Sequence, residues 1–106
     1  MSRDQSEVRA ELAARSGPVQ WRDLQAHVLR EAVFLLGPDL ELLDVAVAVA
    51  EDDTARVAAW VDGHQLTRPS RADLERWEHE PERPFLAVVV QPFVLAQPID
   101  SDEGFE

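Results

Sequence analysis

Residues 84–99 form the longest stretch of this chain without a charged side chain. Within it, residues 85–90 and 93–95 are mostly β-branched or aromatic, which is the composition of a buried strand. Because proline cannot donate a ladder hydrogen bond, Pro92 predicts a bend or bulge there. The stretch is too short, and too often interrupted by Gln and Pro, to span a membrane. We therefore expect residues 85–97 to supply the central strand of a sheet that other elements must cover.

The N-terminal third of the chain predicts two helices and a strand. Residues 4–15 have the spacing of an amphipathic helix, and Gly17 and Pro18 should end it. Apolar residues recur at helical spacing over residues 19–31, which predicts a second helix. Residues 32–36 are apolar and are followed by turn-forming residues, which is typical of a buried strand.

Residues 40–50 fit two structures. Valine and alanine alternate over residues 45–50, as they would in a strand, but the leucines, valines and alanines also form one helical face. The alanines favour a helix, because alanine has the highest helix propensity of all residues. We expect a helix here, with a strand as the alternative.

Two further helices are predicted from their capping residues. Asp52 or Asp53 can cap the first of them, and Gly63 lies where a C-terminal glycine belongs. Ser70 begins the second, with an acidic residue in the capping-box position three residues later. Between the two helices, residues 64–68 can form a short strand.

These elements predict a small single α+β domain over residues 1–99. About five helices should pack on a short, mostly antiparallel sheet, and two consecutive helices should form a helix-turn-helix-like pair. Residues 100–106 are acidic and almost without apolar side chains, so we expect them to form a mobile tail.

Acidic residues dominate the charge of the chain. Twenty-one Asp and Glu residues outnumber ten basic residues, all of them Arg, and the formal net charge at pH 7 is -11. Such a field repels a phosphate backbone, so we expect no nucleic-acid partner. The N-terminus is charged and lacks the apolar run of a signal peptide, so we expect a cytoplasmic protein with no membrane partner. The absence of cysteine excludes disulfides and thiolate metal sites.

The order of elements after residue 44 is also that of a winged helix-turn-helix, as in regulators of the MerR type. Residues 46–60 would then supply the helix pair and residues 63–69 the wing. The helix that would enter the DNA groove carries three acidic residues and offers only Arg56 to a base or phosphate. Its charge argues against DNA binding.

No catalytic signature is present in the sequence. None of the serines lies in a G-x-S-x-G elbow, the glycines are scattered singly, and no two histidines have metal-ligand spacing. We therefore predict no cofactor and no metal, and expect a protein that is not an enzyme. The alternative is a carboxylate-based enzyme, with or without a divalent metal ion, in a cleft beside residues 85–97.

The chain resembles a bacterial family named domain of unknown function 2288. The resemblance covers residues 15–97 and rests on the following residues: Trp21, Leu24, Leu40, Leu42, Leu43, Val45, Ala46, Asp52, Asp53, Trp60, Trp77, Val89, Val90, Pro92, Phe93, Val94, Leu95 and Gln97. It implies a soluble bacterial protein and assigns no activity.

The charge and the absence of catalytic motifs predict a protein-binding or regulatory module with a basic protein partner. The candidate partner surface consists of Glu51, Asp52, Asp53, Arg56, Asp62, Asp100, Asp102 and Glu103. A nucleic-acid-mimicking inhibitor is a further alternative. A homodimer could form through residues 85–97 if that strand lies at a sheet edge.

Overall fold

The computed structural model describes residues 5–99 and contains, within them, five helices and a five-stranded sheet. The helices are α1 Gln5–Arg15, α2 Trp21–Leu29, α3 Leu42–Ala50, α4 Thr54–Asp62 and α5 Arg71–Glu78. The strands are β1 Gly17–Gln20, β2 Val33–Leu36, β3 Leu66–Thr67, β4 Pro84–Val90 and β5 Phe93–Pro98. The predicted α+β class is confirmed, including the consecutive helices α3 and α4. The predicted tail, residues 100–106, lies outside the described residues.

The sheet is mixed, with strand order β1-β4-β5-β2-β3. The β1–β4, β4–β5 and β2–β3 pairs are antiparallel, and only β2 and β5 run parallel. The expectation of a mostly antiparallel sheet is therefore confirmed.

The prediction of one central strand bent at Pro92 is wrong, because the segment folds into a hairpin. Val90 pairs with Phe93 across a two-residue turn of Gln91 and Pro92, whose peptide bond is cis. The backbone N–H and C=O groups of each apolar half form hydrogen bonds with those of the other half. Pro92 lies in the turn, where no backbone N–H is needed for strand pairing. Strands β4 and β5 are internal in the strand order, so residues 85–97 do not form an edge strand of this sheet.

A second correction concerns residues 19 and 20, which belong to strand β1 and not to a helix. Gly17 to Gln20 pair with β4, and α2 begins only at Trp21. The Gln20 N–H donates to Asp23 Oδ2 at 2.9 Å, which satisfies a backbone donor just before the helix. Pairing with a neighbouring strand decides the conformation here, and helical spacing of apolar residues could not reveal it.

Helices cover both faces of the sheet, because β4 and β5 alternate their side chains between two cores. Val88, Val90 and Leu95 pack with α1 and α3 on one face, whereas Phe85 and Ala87 pack with α2 and α5 on the other. The helix predicted for residues 40–50 is confirmed as α3, with five buried residues. No helix within residues 5–99 has the length and apolar character needed to cross a bilayer.

An ion-pair cluster joins α1 to the start of α3. Arg9 donates to Asp44 Oδ1 at 2.8 Å and to Glu41 Oε1 at 2.9 Å. These hydrogen bonds, first to Asp44 and then to Glu41, raise the pKa of Arg9 above its ordinary value. A raised arginine pKa adds stability that is present at neutral pH and is lost only at strongly alkaline pH.

Three aromatic rings hold α2 and α5 onto the sheet. The ring centroids of Trp21 and Trp77 are 4.9 Å apart, and Trp77 meets Phe85 edge-on at 5.0 Å. All three residues are buried. Since α5 contributes no other buried residue, Trp77 is its principal attachment.

A single amide fixes the loop between β2 and α3. Gln97 of β5 donates its side-chain N–H groups to the carbonyl oxygens of Gly37 and Leu40, both at 2.8 Å. The side chain is half-buried, so these carbonyls have limited access to water.

Replacing Trp77 by alanine is expected to lower the free energy of unfolding by about 3–5 kcal/mol, because it removes two aromatic contacts and leaves a cavity. Urea denaturation measures the loss. Trp60→Ala is the matched control, since Trp60 is only half-buried, and should cost less than half as much. Equal losses in the two variants would contradict this account of α5.

Replacing Gln97 by glutamate is expected to cost about 1–3 kcal/mol at neutral pH, because a carboxylate has no N–H to donate to the two carbonyls. A protonated carboxyl group can donate one hydrogen bond to these carbonyls. The folded state therefore favours the protonated form and raises the pKa of the introduced carboxyl. The deficit relative to wild type should therefore shrink at acid pH and grow as the pH rises through that pKa. Urea titrations at several pH values test this. The Gln97→Ala deficit should not change with pH, and a pH-independent Gln97→Glu deficit would exclude the hydrogen-bond explanation.

Candidate functional site

The turn between α3 and α4 brings three of the predicted acidic residues together. Helix α3 ends at Ala50, with Glu51 as its C-terminal cap residue. Asp52 adopts φ 60°, a left-handed conformation that Asp tolerates better than most residues. The Asp53 N–H donates to the Ala48 carbonyl at 2.8 Å and closes the turn.

Asp53 is the N-cap residue of α4, and it is one of the two residues, Asp52 and Asp53, that the sequence predicted for this role. Its Oδ1 accepts the Arg56 N–H at 3.3 Å. The Arg56 guanidinium lies over the Trp60 ring, 5.1 Å from its centroid. Asp53 therefore has a structural role, and Arg56 is directed along the helix and not toward the acids.

An apolar cleft of about 220 Å³ lies between α4 and the sheet, and we call it the α4 cleft. Eight of its eleven lining residues are apolar: Phe34, Ala48, Val49, Val57, Val61, Leu66, Phe93 and Leu95. The other three, Asp52, Asp53 and Thr54, are consecutive in the turn. The cleft thus combines an apolar wall with two carboxylates contributed by one turn.

Helix α4 covers this cleft with few contacts of its own. None of its residues is buried, and Val61 has 44% of its surface exposed. On the sheet, Phe34 and Phe93 meet edge-on with ring centroids 5.5 Å apart, beside the buried Leu95. A helix held by half-buried side chains opens at lower free energy than the core.

The structure groups only part of the predicted partner surface. Glu51, Asp52 and Asp53 are adjacent, whereas Asp62 ends α4, about 13 Å from Asp53 along the helix axis. Glu51, Asp52 and Asp62 are exposed. The remaining three acids of the prediction, Asp100, Asp102 and Glu103, lie outside the described residues.

Sequence reasoning missed the apolar part of the site. Phe34 and Phe93 lie in segments that the sequence predicts as buried strands, but the side chains of both are only half-buried. Phe34 and Phe93 come together through the parallel pairing of β2 with β5, which has no signal in the local sequence. The spacing of Val57 and Val61 on one face of α4 was the only available signal.

The alternative of a carboxylate-based enzyme places its site in a cleft beside residues 85–97, where a pocket with two close carboxylates of raised pKa would favour it. Among the described residues no polar or charged residue is buried. Within the same range, no three His, Asp or Glu side chains are grouped so that they could hold a metal ion. The hollows beside β4 and β5 on these sides contain Asp23, Glu31, Asp39 and Glu41, and all four residues are exposed.

Comparison with known proteins extends the resemblance seen in the sequence. The family model described as Protein of unknown function (DUF2288) matches residues 7–98. Among solved structures, the chain is similar to the NMR solution structure of PA1075 from Pseudomonas aeruginosa, with 30% sequence identity and a TM-score of 0.76. That similarity covers 100% of this chain and 97% of the other. No curated protein matches the chain.

Replacing Asp53 by alanine is expected to lower the free energy of unfolding by about 1 kcal/mol, because the Arg56 N–H loses its acceptor. Asp53→Asn keeps the acceptor and removes the charge, so it should cost only a few tenths of a kcal/mol. Urea denaturation of both variants separates the cap from the charge. If the Asn variant loses as much as the Ala variant, the charge of Asp53 matters and the cap does not.

Proposed function

Since the chain belongs to the DUF2288 family, whose description assigns no activity, we propose a function from the structure: it is a module that binds a basic protein partner through the α4 cleft. An apolar side chain of the partner enters the cleft, and its neighbouring Arg or Lys residues meet the acidic turn at residues 51–53. The observation that carries the proposal is the apolar cleft with its carboxylates at one end.

The size of the α4 cleft favours a side chain over a small molecule. Pockets that enclose drug-sized ligands and cofactors measure roughly 300–1,000 Å³. The α4 cleft measures about 220 Å³, which suits a single large apolar side chain. Binding of this kind, with one buried anchor inside a polar rim, is common at protein interfaces.

The charge of the molecule supports a basic partner. A formal net charge of -11 attracts positively charged proteins and accelerates their encounter at low ionic strength. Asp52 and Asp53 then act at short range, next to the apolar contact. An imitation of nucleic acid would need a row of carboxylates and no apolar pocket, so the cleft favours partner binding over mimicry.

Affinity capture from the native lysate, with the tagged protein at low and moderate salt, tests the proposal. The wild type should retain a basic partner that dissociates as salt rises. Val61→Gln should weaken retention about tenfold, because burial of a valine contributes about 1.5 kcal/mol. Asp52→Asn, which tolerates the left-handed conformation, should weaken retention mainly at low salt.

Leu29→Gln is the matched control, since Leu29 is 85% exposed on α2, outside the α4 cleft. This variant should retain the partner as the wild type does. Equal retention by Val61→Gln and Leu29→Gln would place the interaction elsewhere. Retention that does not change with salt would contradict a basic partner.

A further inference from the structure

A second groove lies beside α2, on the opposite face of the sheet from α3. It consists of two adjoining hollows of about 410 and 390 Å³. Both are lined by His27 of α2 and by Val89 and Val94 of the central hairpin. We call this continuous depression the α2 groove.

The floor of the α2 groove is an apolar gap in the helix layer. Val89 has 41% of its surface exposed, whereas Phe85 and Ala87, on the same face of β4, are buried. The difference arises because β1 begins at Gly17, opposite Ala87, so the last three residues of β4 extend beyond β1. Val94, which pairs with Val89, is buried.

The rim of the α2 groove is balanced in charge, unlike the molecule as a whole. Asp23 and Arg15 line one hollow, and Arg30 and Glu31 line the other. Asp23, His27 and Arg30 follow one another at helical spacing, so they share one side of α2. Arg30 is held along that side by a contact of 2.9 Å between its Nη2 and His27 Nδ1.

Such a rim is complementary to itself under a two-fold rotation. An axis near His27 would exchange the two hollows, so that Arg30 of one chain meets Asp23 of the other. The same rotation would bring Arg15 of one chain to Glu31 of the other. Asp23 and Arg30 are about 10 Å apart along the helix axis, so both pairs can form at once.

We propose that the α2 groove binds a second copy of this chain, with the two α2 helices antiparallel. Each helix covers the Val89 that the other chain leaves exposed. A chain with net charge -11 can associate with itself only where its own acids are locally compensated, and the α2 groove provides such a place. This contact uses the face of the hairpin and no sheet edge, and it does not depend on the α4 cleft.

Measurement of mass against concentration, by sedimentation or light scattering, tests the dimer. The wild type should approach twice its 11.9 kDa mass as concentration rises into the millimolar range. Val89→Glu should stay monomeric, because it places two like charges near the axis. Leu86→Glu is the matched control, as Leu86 is 36% exposed on the same strand and outside the α2 groove, and it should dimerise normally.

A wild type that remains at 11.9 kDa throughout would overturn the proposal. Equal association of Val89→Glu and Leu86→Glu would also overturn it, because the contact would then not include the α2 groove. Far-UV circular dichroism establishes that each variant is folded before its mass is compared.

Exchange of charges tests the two-fold arrangement itself. Arg30→Glu and Asp23→Arg should each be monomeric alone, since each homodimer would contain two repulsive pairs. An equimolar mixture should dimerise, because both contacts become attractive in the heterodimer. A mixture of two folded variants that stays monomeric would refute the arrangement.

Asp23 also accepts the Gln20 N–H, so its substitution can affect folding. The pair Arg15→Glu and Glu31→Arg makes the same test at the other contact. Glu31 also accepts a hydrogen bond from Arg68 at 3.3 Å, so circular dichroism first establishes that the Glu31→Arg variant is folded. Restoration of the dimer in that mixture supports the two-fold axis near His27, and its absence excludes it.

Discussion

Strands β4 and β5 bury side chains on both faces of the sheet, and this two-sided burial determines where the other elements lie. One row of side chains, including Val88 and Leu95, is covered by α1 and α3. The opposite row, including Phe85, is covered by α2 and α5. Strand pairing adds β1 on one side and β2 on the other. The strong acidity of the chain does not oppose this packing, since no charged side chain among the described residues is buried.

The parts of the fold that could be predicted are those with a local cause. The capping box of Ser70 and Asp73 begins α5, and Asp53 begins α4, as their sequence positions indicate. Helix α3 followed from the propensity of alanine even though its residues also alternate. In each of these cases a short segment contains the whole physical reason for its structure.

The errors arose where a distant segment decides the conformation. Gln20 belongs to a strand because Pro84 lies opposite it, more than sixty residues away in the sequence. The hairpin at Pro92 could not be predicted without knowing that its two halves, β4 and β5, pair with each other. The same limit applies to the α4 cleft, because the contact between Phe34 and Phe93 is created by strand pairing. The acidic turn could be found from the sequence, whereas the apolar wall beside it could not.

The two proposed surfaces lie on opposite faces of one sheet, and this separation has a consequence for binding. Among their lining residues, only Phe93 at the end of the hairpin borders both the α4 cleft and the α2 groove. A dimer that uses the α2 groove therefore leaves both α4 clefts accessible, one on each chain. If both proposals hold, two clefts on one particle would engage a partner with repeated basic segments, and the second contact would be effectively intramolecular, which strengthens binding without any new contact. The acidity that drives encounter with such a partner would also keep the chains apart, so local neutrality at the α2 groove is the condition on which divalent binding depends.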